Sequence, residues 1–394
     1  MNPADFAYII DTFFILFAGI LIILMAPGFA MLEAGLVRTK NVTTVLTGNI
    51  LLYMVASTVF VVWGYNFMFG GTGLFLDGIE DDGYSKYALL FFQMAFVSKT
   101  VSIISGGVSE RIKLLPFMLF AVLMAGLIYP MVGAWTWGGG FLKDMHDLAG
   151  STIIHSVGGW AVLAAILVLG PRKGKYTKDG RVRPIPASNV PLVLLGALLL
   201  WIGWFGFNGG SQLSIASKEN AEMVALIMLN TNTAGMAGGL ATTLIVYLQY
   251  RKLDLTMILN GALGGLVAIT AGADVVGMWE PIVIGAVGGV LVAYAVPFFD
   301  KLRIDDPVGA LSVHLVNGIW GTIAVALFNS EYSMMDQLKG IVVVALFTFS
   351  LSFALFYAIK KLLGLRSDEE HEYEGLDFEE CGVESYPEFV KSKT

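Results

Sequence analysis

The sequence predicts an all-α membrane protein with eleven transmembrane helices. They form a 5+5 inverted repeat plus a final helix, with the N-terminus outside and the C-terminus inside. Three observations carry this prediction: a shortage of charge, a series of long apolar blocks, and a motif that recurs in two helices of opposite direction. Of 394 residues, 56% are hydrophobic and only 14% are charged. Soluble domains carry about 25% charged residues, so this chain cannot cover a water-facing surface, and a large soluble enzyme is excluded. The 46 glycines suit helices that pack closely without water to drive them together.

A helix needs about 20 apolar residues to span a bilayer. Blocks of that kind fall at roughly 8–35, 42–70, 87–109, 114–137, 149–170, 188–210, 220–250, 255–273, 276–298, 308–329 and 337–364. The first, apolar from Phe13 to Gly35 without a basic flank or a small-residue cleavage site, reads as a membrane helix rather than a signal peptide. An odd number of spans puts the termini on opposite sides. Basic residues gather in the loops at 38–40, 111–113, 171–183, 251–252 and 301–303 and in the tail, while the alternate loops hold only Lys86, Lys143, Lys218 and Lys339. Positive charge stays in the cytosol, which sets the orientation. The chain therefore divides into a multi-pass membrane domain, 1–364, and a cytosolic tail, 365–394. The loop 171–186 (PRKGKYTKDGRVRPIP) reads first as a topology signal, with binding of anionic lipid or a cytosolic partner as the alternative. The net charge of −7 comes largely from the tail, and no basic patch points to nucleic acid. Cys381 is the single cysteine, so no intrachain disulfide forms.

The repeat lies in DLAGSTIIHSVGGW, from Asp147, and DPVGALSVHLVNGIW, from Asp306. In both, glycine follows the aspartate by three positions and histidine by eight; valine and glycine then stand two and four places beyond the histidine. Eight residues advance a helix by about 12 Å. His155 and His314 thus enter from opposite sides and can meet at mid-membrane. Sites of inverted-repeat transporters lie there, and ionisable groups at that depth mark pathways or proton relays. A metal site is not expected, because no carboxylate or cysteine stands at ligand spacing beside them; no cofactor is implied. Asp147 at a helix start reads as an N-cap. By composition alone, Trp137 reads as an interfacial anchor and the phenylalanines as core or lipid-facing.

Seven segments together resemble the ammonium transporter (Amt/Mep/Rh) family, in family order across about residues 10–390. They are PGFAMLEAGLVRTKN, FQMAF with SERIK, WGGG, DLAGSTIIH, GWFGFNGGS, DDPVGALSVH and EGLDFEECGVESYPEF. The resemblance implies a homotrimer with one pore per subunit, transporting ammonium or ammonia across the cell membrane, and not an enzyme. It assigns external ammonium recruitment to Trp137, Phe96 and Ser211, stacked gate rings to Phe96 and Phe207, and the twin pore histidines to His155 and His314. It makes Asp147 a buried supporting carboxylate. The tail resembles the family's regulatory C-terminus, which makes a cytosolic PII signalling protein a candidate partner; Cys381 stands there in place of the usual histidine. The Trp137–Ser211 pair favours the Amt branch over an Rh-type gas channel.

Lys99 departs from the family pattern. It lies about 18 Å into its helix and three residues after Phe96, on nearly the same face. A charge at that depth costs at least about 2.5–3.5 kcal/mol unless paired. The expectation is that Lys99 points into the pore beneath the gate, paired with Glu33, and plugs it. A transport-silent ammonium sensor of the same fold is therefore the alternative to a transporter.

Overall fold

The computed structural model describes residues 2–389, so Met1 and the end of the expected tail, 390–394, lie outside the described residues. Ten helices are long and apolar enough to cross a membrane. These are α1 (Pro3–Leu36), α2 (Thr39–Phe69), α3 (Lys86–Val108), α4 (Leu114–Trp135), α5 (Ser151–Leu169), α6 (Val190–Gly209), α7 (Lys218–Tyr250), α9 (Glu280–Lys301), α10 (Leu311–Phe328) and α11 (Met334–Leu362). The shorter apolar α8 (Leu255–Ile269) completes the expected eleven. No strand forms among the described residues.

Local chemistry explains where these helices bend. Proline lacks an N–H and its ring collides with the carbonyl four residues earlier. Pro27 therefore breaks α1 after Ile23, and the helix restarts at Met25. Elsewhere glycine lets backbones touch. A Cβ on Gly285 or Gly289 would stand 2.1 Å from the carbonyl oxygen of Ala234 or Gly238, so α7 and α9 close on each other only because both positions are glycine.

The repeat of the sequence is also a repeat of structure. Gly150 and Gly309 take left-handed φ values of 105° and 84° just ahead of α5 and α10. Asp147 and Asp306 turn their carboxylates onto the helix starts that follow: Asp147 accepts from the N–H groups of Gly150, Ser151, Thr152 and Ile153, and Asp306 from those of Gly309 and Leu311. Each helix then opens with a wide π turn, Ser151–Ser156 and Leu311–Val316, which carries its histidine. Such turns are rare and often mark functional positions.

The bundle end that holds the basic loops is locked by buried ions. Arg111 spends its guanidinium on the carbonyls of Gly107, Ser109, Gly170 and Asp305, tying the ends of α3 and α5 to the approach of α10. Arg172 donates to both carboxylate oxygens of Asp305 at 2.9 Å and approaches Glu110 at 3.4 Å. The tail closes over the same end through α12 (Glu369–Glu374) and α13 (Leu376–Cys381). Asp377 accepts from the N–H groups of Thr43 and Thr44, and Asn41 holds the N–H of Leu376. Cys381 Sγ rests 3.5 Å from the Thr47 hydroxyl.

Burial alone would push the Asp305 carboxyl up, but the hydrogen bonds and charge of Arg172 outweigh it and hold it at about 2. An unfolded aspartate titrates near about 3.9. The pair's contribution is thus complete above about pH 4 and is lost as pH falls toward 2, an amount of order 2 kcal/mol. Thermal midpoints of the detergent-solubilised protein should drop over that window, and Asp305→Asn should flatten the drop.

Candidate functional site

Five of the residues singled out by sequence, Trp137, Phe96, Phe207, His155 and His314, follow one another as a file of rings. Phe96 and Phe207 are fully buried and stack face to face, with ring centres 4.2 Å apart at 10°. Trp137 meets Phe96 edge-on at 6.2 Å, and its Nε1–H donates to the Asp147 carbonyl at 2.8 Å. Asp147 thereby fixes the tryptophan with its backbone and the start of α5 with its side chain. The Ser211 hydroxyl donates to the Phe207 carbonyl at 2.8 Å. Its proton is thus committed inward, and its lone pairs remain to accept from an N–H donor.

Beyond Phe207 stand the histidines. The Nδ1 atoms of His155 and His314 are 3.1 Å apart, and the rings are near-parallel at 14°. One shared proton satisfies both nitrogens. His155 Nε2 is buried without a hydrogen-bond partner. The meeting anticipated from the repeat therefore occurs. Toward the tail end lies a cavity of about 20 Å³, room for roughly one water, lined by Phe29, Glu33, Ile103, Trp204 and His314 among others.

Trp204 and Asp306 were not singled out from sequence. Trp204 stacks on His155 at 5.1 Å and 17°, and its N–H donates to Thr270 at 2.9 Å. The signal was present, since Trp204 belongs to the GWFGFNGGS segment, but only packing shows which tryptophan of the chain meets an imidazole. Asp306 was visible as the repeat partner of Asp147.

The expected ion pair between Lys99 and Glu33 does not form. Glu33 accepts from Asn49 Nδ2 at 3.0 Å and meets the Ser105 hydroxyl at 2.5 Å. Ser105 lies six residues past Lys99 along α3, about 9 Å of helix rise, so the carboxylate is engaged beyond the reach of the lysine. Lys99 is 1% exposed, and its Nζ has no hydrogen-bond partner. It lies 5.6 Å from the ring centre of Tyr53 on α2, and Lys99 is not among the residues lining the cavity beside His314.

The sequence profile of the Ammonium Transporter Family matches residues 13–386. Ammonium transporter Amt2 of Archaeoglobus fulgidus is 37% identical, over all of this chain and 90% of its own length. Among solved structures, a sensor Amt protein superposes with a TM-score of 0.90 at 33% identity, covering 96% of this chain and 99% of its own. Candida albicans Mep2 gives 0.85 at 26% identity, over 100% and 96% of the two chains. The histidine pair and stacked rings stand in a bundle of the same shape as those proteins, and the chain belongs to the ammonium transporter family, whose members are integral membrane proteins and not enzymes.

Proposed function

We propose that this protein recruits ammonium at Trp137, Phe96 and Ser211, strips its proton, and passes ammonia between the Phe96–Phe207 gate and the His155–His314 pair. The observation that carries this reading is the file of rings from Trp137 to His314, at successive separations of 6.2, 4.2, 5.5 and 5.2 Å. Ring faces and the Ser211 oxygen replace part of the ion's hydration, with cation–π attraction of about 0.5–2 kcal/mol per ring. A bare cation is too costly in the passage beyond, whereas ammonia needs only a donor and an acceptor, and imidazole offers both. Potassium has no proton to lose and is refused at that step.

In this reading the recruitment end faces outward and the basic end is cytosolic. Three copies assemble, each with its own pore, and the tail from residue 365 regulates them, with a PII signalling protein as its partner. Ammonium pulses applied to proteoliposomes test the transport itself. Trp137→Leu and Ser211→Ala should each raise the half-saturating ammonium concentration by roughly 3- to 30-fold, the equivalent of one lost contact, without changing the thermal midpoint. Unchanged half-saturation in both would refute the recruitment assignment.

A second reading, a transport-silent sensor, is favoured by the buried Lys99, one helical turn past Phe96 with no hydrogen-bond partner for its Nζ, and by the likeness to the sensor Amt protein. It predicts ammonium binding without current.

A further inference from the structure

Glu33 occupies a position that the file of rings does not use. It is 1% exposed and lines two separate cavities. The first is the one that His314 lines. The second, also of about 20 Å³, is lined by Glu33, Asn41, Ser105, Ser109 and Glu110, and by Leu376 of the tail. The fully buried Asn41, which lines this second cavity, has an Nδ2 without a hydrogen-bond partner, so a polar occupant has a donor waiting.

The contacts of Glu33 fit either of its protonation states. Ser105 Oγ lies 2.5 Å from Glu33 Oε1 and 2.9 Å from the Ser102 carbonyl oxygen. A hydroxyl has one proton and cannot donate to both. Both contacts become hydrogen bonds only when the carboxyl donates to Ser105 and Ser105 donates onward to Ser102. The arrangement therefore accommodates a protonated Glu33, and it also accommodates the carboxylate, with Asn49 and Ser105 as donors.

We infer that Glu33 is a proton-carrying carboxyl of the conduction path, taking up the proton that ammonium gives up and releasing it into the second cavity while ammonia leaves by the first. This rests on the proposed ammonium transport. The balance is simple. An N–H bond of ammonium breaks to leave ammonia, and the proton moves past the histidine pair to form an O–H bond on Glu33. That bond then breaks as water in the second cavity accepts the proton, and the carboxylate is ready for the next. Ammonium nitrogen and its charge would thus cross by two exits, and the tail residue Leu376 lines only the second.

The experiment uses the full chain in proteoliposomes, recording current and luminal pH after an ammonium pulse, against protein-free liposomes. Wild type should give current with little luminal alkalinisation beyond the lipid leak, because each ammonia is joined in the lumen by its proton. Glu33→Gln should cut the current at least tenfold while luminal alkalinisation rises above the wild-type level, because ammonia still enters and its proton does not. Loss of current without a rise in alkalinisation in a well-folded Glu33→Gln protein, or an unchanged current, would overturn the inference. Should Glu33→Gln fail to fold, Ser105→Ala keeps the carboxyl and removes its neighbour in the second cavity; its current should fall at least threefold with alkalinisation raised, and an unchanged current again refutes the idea. Wild-type alkalinisation without current would reject the role of Glu33 and leave ammonia transport standing; absence of both signals would reject the transport reading as well.

Discussion

Asp147→Ala should abolish uptake, by at least 100-fold, and sharply reduce the yield of monodisperse protein. The carboxylate accepts four backbone N–H bonds of 2.7–3.0 Å at the start of α5. The site is buried, and each donor left without a partner there costs about 1–3 kcal/mol. Even if half of them find substitutes, the loss is a large share of a typical stability of about 5–15 kcal/mol. The effect should also reach the proposed recruitment site, because Trp137 hangs from the main chain of the same aspartate. Asp147→Asn is the informative companion. It keeps one acceptor oxygen but turns an NH2 toward N–H donors, so it should fall between wild type and alanine. Size-exclusion profiles, thermal midpoints and uptake rates check all three proteins. An alanine variant with wild-type uptake and midpoint would mean that α5 does not depend on this cap.

Lys99→Ala should raise ammonium current at least tenfold if the protein is a closed or silent member of its family. The lysine is enclosed, without a hydrogen-bond partner, on the helix that also holds Phe96, the proposed gate ring. Its Nζ lies over the Tyr53 ring, and a protonated lysine there would repel a second cation approaching Phe96. Removing it should therefore admit ammonium to the proposed gate. The same change should leave the fold intact or firmer, because an unpaired buried charge is a net cost. Currents from wild type and Lys99→Ala in the same lipid decide the matter. Equal currents would show that the lysine is no barrier and leave the plain transporter reading in place.

Much of this protein is set by chain chemistry alone. Apolar blocks of membrane length produce the spans, whatever their neighbours, because every backbone polar group in lipid must be paired within its own helix. The inverted repeat could be read from two aspartates and two histidines at equal spacing, and that spacing works because a helix converts residue number directly into depth. Family motifs then placed Phe96, Phe207 and Trp137 near one another.

Other features depend on the directions of side chains on different helices. Depth says nothing about azimuth, so the pairing of Lys99 with Glu33, reasonable by position along the chain, lost to Asn49 and Ser105, which face the carboxylate from α2 and α3 at its own level. The stacking of Trp204 on His155 and the place of Leu376 in the lining of Glu33's second cavity are likewise contacts between remote segments. Spans, repeat and depth belong to the local chain, which a bilayer constrains one helix at a time. Which buried polar group meets which partner was decided only by tertiary packing, because in a dry interior each such group must take whatever donor or acceptor the neighbouring helices turn toward it.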